Sequence, residues 1–250
     1  MRWQALILLF CIPTISSRAQ TAIIRGDSAQ RKIALVFTGD EFADGGEFIN
    51  SVLQKDSIKA SFFFTGNFYR NRNFKTLIRQ LLLKGHYLGS HSDKHLLYCD
   101  WTKRDSLLVT KREFSVDLAR SYRELSRWGV AREQALYFLP PYEWYNDSIV
   151  SWTHQMGLQL INFTPGTRST ADYTYPEMGS GYVDSKTIFQ SIIEYELKSP
   201  SGLNGFILLV HVGTDSRRKD KFYQHLPELI RELKNRQYSF VRINEMLSRP

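Results

Sequence analysis

The chain predicts an α/β fold built on a mostly parallel sheet or barrel of about seven strands. Its apolar runs are short and nearly continuous rather than alternating, as in strands covered on both faces. Segments with helical periodicity separate those runs along the whole chain, the order that parallel sheets require. No charge run, Pro-rich tract or Gly/Ser linker divides the 250 residues, of which 42% are apolar. One sizeable core is therefore expected.

The elements follow in order. Residues 32–37 read as a strand buried on both faces, and residues 48–53 as a helix. A second buried strand covers residues 58–64 and ends at Thr65-Gly66. Phe74, Ile78, Leu81 and Leu82 form a helical stripe that Gly85 stops. Residues 85–89 read as a strand end that opens into a loop. A long helix is predicted over residues 104–128. Residues 135–139 are strand-like and halt at Pro140-Pro141. Then come a helix over 149–156, a strand over 158–162, a helix over 188–197, a strand over 205–210, a helix over 225–233 and a last strand over 238–243. No Gly-rich phosphate loop follows the first strand, which argues against a doubly wound dinucleotide fold.

Residues 1–19 have the pattern of a signal peptide. Arg2 is the positive start, residues 5–12 are an apolar stretch too short to span a membrane, and Ser17-Arg18-Ala19 presents small residues for cleavage. The expectation is an exported protein, periplasmic or extracellular, with one domain over residues 20–250. Cleavage leaves Cys99 as the only cysteine, so no internal disulfide forms; beside Tyr98 and Trp101 it reads as a core thiol. The formal net charge is +8, but the basic residues are dispersed. A nucleic-acid binder would gather them in one patch, so that class is set aside. Oligomeric state is left open.

The segment Gly89-Ser90-His91-Ser92-Asp93-Lys94-His95 carries the most chemistry. Histidines four apart share one face of a helical turn, close enough for two imidazoles to bind one metal ion. They follow a strand end, where sites in α/β proteins gather.

Several groups of residues together resemble the polysaccharide deacetylase family, the NodB-homology domain of carbohydrate esterase family 4. His91, Ser92 and His95 meet its H-[ST]-x-x-H motif in full. Residues 60–66, reading Ala-Ser-Phe-Phe-Phe-Thr-Gly, are similar to its second strand. Phe206-Ile207-Leu208-Leu209-Val210-His211 is similar to its last motif, an apolar strand ending in histidine. The resemblance covers about residues 32–247. It implies a distorted (β/α) barrel of the NodB type, one divalent metal ion (usually zinc) on His91 and His95, and His211 as general acid.

Three other motifs depart from the family. T-F-D-D-G normally supplies a base and a metal-binding aspartate. In register, this chain has Thr38 at the base position and Gly39 at the metal position, followed by Asp40, Glu41 and Asp44. Asp40 is the expected third ligand and a candidate base, swung inward by the φ freedom of Gly39; Glu41 and Asp44 are alternative bases. R-[PS]-P-[FY] reads Leu139-Pro140-Pro141-Tyr142, so the base-orienting arginine is absent. The resemblance still gives the Tyr142 amide to the oxyanion. No aspartate follows Asn162 until Asp172, which is the candidate to tune His211. Trp144 leads a set of aromatics (Tyr98, Trp101, Tyr142, Tyr145, Tyr173 and Tyr175) expected near the site mouth, where rings stack on sugars. The resemblance implies a metal-dependent hydrolase that removes acetyl groups from an N-acetylhexosamine polymer, by N- or O-deacetylation. The rival reading is a catalytically silent glycan-binding domain. Two-metal phosphoester chemistry would want more clustered carboxylates than Asp40, Asp44 and Asp93 offer.

Overall fold

The computed structural model describes residues 21–247; the leader expected at residues 1–19 lies outside them. Among the described residues seven strands pair in parallel: β1 (Lys32–Gly39), β2 (Ser61–Phe64), β3 (Tyr87–Ser90), β4 (Tyr137–Phe138), β5 (Gln159–Leu160), β6 (Phe206–His211) and β7 (Ser239–Phe240). The order is β5-β4-β3-β2-β1-β6, and β7 pairs with the start of β1. The helices are α1 (Gly46–Lys55), α2 (Gly66–Arg70), α3 (Lys75–Leu83), α4 (Lys111–Arg127), α5 (Asp147–Gln155), α6 (Ser185–Lys198), α7 (Leu226–Asn235) and α8 (Ile243–Leu247).

Alternation along β1 shows why its run is continuously apolar. Ile33, Leu35 and Phe37 pack in the larger core cluster, which also takes in the buried faces of α1, α3, α4, α6 and α7; Ala34 and Val36 pack in a smaller one with Phe63, Leu139, Ile161, Ile207 and Leu209. The sheet therefore curls around a second apolar interior. An N-terminal segment completes the wall between β5 and β6. Ile23 bridges to Ile161 and Arg25 to Phe206. This is the distorted barrel expected, with one stretch of wall built from irregular chain.

Register decides what meets at the rim. Gly39, Phe64, Ser90 and Phe138 form one row across four strands, and His211 lies beside Thr38. The next residues, Asp40, Thr65, His91 and Leu139, emerge together at the C-terminal ends of the strands.

Three expectations are corrected. The helix predicted from residue 104 begins at Lys111, because Thr110 and Glu113 make a capping box there. The last strand is only Ser239–Phe240; Ile243 instead opens α8, its amide donating to the Ser61 hydroxyl (2.8 Å). The histidine segment is not helical. Ser92 and His95 adopt positive φ (73° and 55°), and the loop is stitched by Ser92 N donating to Ser90 Oγ and His95 N donating to Ser92 Oγ. α2 was not anticipated; Thr65 caps it by accepting from Phe68 N.

Candidate active site

The histidine loop is held from two sides. Gly66 N donates to Ser92 O, and Asn67 N to Asp93 O. Asp117 on α4 accepts from the Asp93 and Lys94 amides and from the Tyr98 hydroxyl. Arg70 pairs with the buried Asp93 at 2.5 Å. So braced, the loop brings His91 Nε2 and His95 Nε2 to 3.2 Å. His91 Nδ1 lies 2.9 Å from the Leu139 carbonyl. A carbonyl only accepts, so Nδ1 carries the proton and Nε2 keeps its lone pair. Burial, reinforced by His95, holds His91 well below the usual imidazole range. Burial also lowers His95, outweighing the opposing pull of Asp40. Two neutral, converging imidazoles, one oriented by a carbonyl, fit a divalent metal.

Asp40 lines the same cavity, and its Oδ1 accepts from Thr65 Oγ1 at 2.6 Å. Among the described residues, no three His, Cys, Asp or Glu side chains stand together as a ready metal group. Gly39 behaves differently from expectation. It continues β1 without positive φ. A Cβ there would lie 2.7 Å from Val212 Cγ1 and 3.0 Å from the Phe64 and Phe68 rings. Close packing, not φ freedom, explains this glycine, and a side chain at that register position would have to displace Val212 and crowd two phenylalanine rings. Of the alternative carboxylates, Glu41 lines the cavity, whereas Asp44 is tied to Lys221 (2.8 Å), the Thr214 amide and the Tyr223 hydroxyl beside a neighbouring groove.

His211 ends β6 and forms a dyad with Asp172. Its Nδ1 donates to Asp172 Oδ1 (2.6 Å), and its own amide donates to Oδ2 (2.7 Å). Burial opposes the imidazolium, but the charge and hydrogen bond of Asp172, with Glu143 behind, outweigh it and raise the His211 pKa. Asp172 sits on a short turn, Ser169–Tyr173, that packs on β6. The fully buried Arg218 fastens the chain just beyond this turn, donating to the carbonyls of Thr174 (2.5 Å) and Val183 (2.9 Å) and to Ser185 Oγ (3.1 Å).

Tyr142 and Glu143 take consecutive left-handed conformations (φ 58° and 53°). For non-glycine residues that strain is worth about 1–3 kcal/mol each. Asn162 Nδ2 steadies the bend by donating to the Glu143 carbonyl (2.7 Å). The bend lays the Tyr142 ring over His95 (centroids 4.3 Å) and turns Glu143 inward. Glu143 Oε1 is buried without a hydrogen-bond partner, 3.9 Å from His91 Nε2. Burial pushes this carboxyl up to about 7. Sequence reasoning missed Glu143. Its only signal is a place directly after Pro140-Pro141-Tyr142, and no glycine or asparagine marks the left-handed bend.

These groups share one cavity of about 920 Å³. Trp101, Tyr142, Trp144, Tyr145, Tyr173 and Tyr175 line it; Tyr98 does not, being buried in the core against Asp117. Trp144 is fixed by its indole N–H to the Asp100 carbonyl and by the Arg104 guanidinium 4.3 Å from its ring centre. Cys99 is buried, and burial raises its pKa, as suits a core thiol.

A parallel barrel with its polar site at the strand ends defines a familiar class of α/β protein. The chain belongs to the polysaccharide deacetylase family, whose profile matches residues 26–161. It is 24% identical over 196 residues to a peptidoglycan-N-acetylglucosamine deacetylase of Bacillus cereus, spanning 78% of each chain. A crystal structure of a peptidoglycan N-acetylglucosamine deacetylase superposes with a TM-score of 0.69 at 17% identity, over 90% of this chain and 92% of that one. A carbohydrate esterase family 4 pseudoenzyme from Bacillus anthracis superposes with a TM-score of 0.65 at 18% identity, over 92% of this chain and 70% of that one. The fold is the distorted barrel of the NodB type.

Proposed function

We propose that this chain is an exported, metal-dependent hydrolase that removes acetyl groups from an N-acetylhexosamine polysaccharide. The observation that carries the proposal is the sharing of one cavity by the His91–His95 pair and by His211, which Asp172 braces from behind. His91 and His95 would hold one divalent ion, zinc by donor type, with Asp40 as the third ligand from the β1 loop. When bound, such an ion supplies Lewis acidity to the acetyl carbonyl and acidifies water. His211, its Nδ1 occupied by Asp172, offers Nε2 to protonate the leaving amine. The Tyr142 amide is assigned to the developing oxyanion, a donor worth about 3–4 kcal/mol. The cavity-lining aromatics, Trp144 among them, suit the apolar faces of sugar rings.

The packing around Gly39 favours a second reading. A position that in the family holds a metal carboxylate is here a glycine against which Val212, Phe64 and Phe68 pack closely, which suits a silent glycan binder. Metal analysis and acetate release from a panel of acetylated glycans separate the two. His91→Ala and His95→Ala should each abolish stoichiometric zinc while the chain stays folded. Acetate release by the zinc-loaded wild type selects the enzyme. Glycan binding with no release selects the binder.

A further inference from the structure

We infer that Glu143 is the general base of this site, supplying from the loop after β4 the carboxylate that β1 lacks. This rests on the deacetylase reading and names the group that reading leaves open.

Thr38 and Gly39, the β1 residues at the family's carboxylate positions, offer no base, and of the carboxylates just beyond them Asp40 is the assigned ligand while Glu41 is exposed at the cavity wall. Thr38 is buried, carries no charge, and its Oγ1 has no hydrogen-bond partner. Glu143 enters the same cavity from a different strand end, and its Oε1 is likewise buried and unpartnered. A buried carboxylate oxygen without a partner, facing the cavity, calls for a polar guest, and a water molecule is the smallest that serves it. Glu143 Oε1 lies 3.9 Å from His91 Nε2, so that guest would sit beside the histidine pair. The conformation is not incidental. Glu143 reaches this place through two successive left-handed residues, a strained bend that Asn162 holds. Asp40, by contrast, already accepts a hydrogen bond from Thr65.

The chemistry balances with groups already present. Glu143 takes one proton from water, and the water oxygen bonds to the acetyl carbon. The C–N bond then breaks, its electron pair leaving with nitrogen, and His211 Nε2 supplies the proton that makes a neutral amine. Acetic acid ionises, and both side chains exchange protons with solvent to return to their starting states.

The test uses the full mature chain loaded with zinc and an acetylated glucosamine oligomer. Glu143→Gln should lower kcat about 10²–10⁴-fold, the usual worth of a general base. Zinc affinity and oligomer binding should match the wild type. Glu143→Gly, which suits the positive φ, should fold, lose the same rate and regain part of it with added formate. A structural role would not give that rescue. If the wild type turns over and Glu143→Gln keeps its rate, the base lies elsewhere and only this assignment fails. Loss of zinc in Glu143→Gln would make Glu143 a ligand instead and overturn it too. A zinc-loaded wild type that releases no acetate overturns the deacetylase reading and this inference together.

Discussion

Arg218 offers the sharpest link between packing and catalysis. Its side chain is fully buried, yet it touches no reacting group. Arg218→Met keeps most of the stem and deletes the head. Two buried carbonyls, Thr174 and Val183, then lose their donor, as does Ser185 Oγ. An orphaned buried acceptor costs about 1–3 kcal/mol. Relief from burying a guanidinium offsets part of that, and Asp220, 39% exposed, loses only a long 3.7 Å contact. A net loss of about 2–4 kcal/mol follows, which for 250 residues is a Tm fall of roughly 4–16 °C. Thr174 lies two residues beyond Asp172, so the turn that orients His211 should loosen. Thermal melting, amide exchange over residues 169–184 and acetate release read these effects in turn. kcat should fall while oligomer affinity holds. Arg217→Met, whose own side chain is exposed and pairs with a half-buried Asp215, is the control and should leave Tm nearly in place. An unchanged Tm in Arg218→Met would refute the burial argument. A lowered Tm with unchanged kcat would refute the link to His211.

Two further outcomes are expected. Asp172 raises the His211 pKa, so Asp172→Asn should move the alkaline limb of kcat/KM to lower pH. The sign in stability follows. Pairing with a raised pKa stabilises fully below the unfolded value near ~6.5 and fades as pH rises through the folded value, so melts of wild type and Asp172→Asn should differ most on the acid side and converge above it. Asp40→Asn should weaken zinc binding and activity together, measured by metal titration and acetate release; unchanged zinc affinity would remove Asp40 from the ligand set.

The fold was legible because its signals are local. Residues 32–37 are apolar at every position since both faces of β1 meet a core, and that pattern needs no knowledge of partners. The histidine pair was legible for a partly mistaken reason. Helical spacing suggested convergence, but serine hydroxyls and two positive-φ residues in a loop produce it. Asp172 could be named only as the next aspartate along the chain. Its pairing with His211 spans 39 residues and depends on a turn packed against β6. Glu143 was illegible because residue type gives no hint of consecutive left-handed conformations at a tyrosine and a glutamate.

The departures from the family pattern make physical sense as one set. Leu139 is fully buried in the inner apolar cluster with Ala34, Val36, Ile207 and Leu209. An arginine there would enter an apolar cluster, and a buried unpaired cation is strongly destabilising. Conversely, an aspartate at Thr38 would find no arginine at 139, and one at Gly39 would collide with Val212 and two phenylalanine rings. No single reversion is therefore favourable. The barrel interior is apolar around Leu139, and an acidic oxygen enters the cavity from the Tyr142–Glu143 bend after β4. Leu139 serves both arrangements at once: its side chain fills the interior while its carbonyl fixes the tautomer of His91.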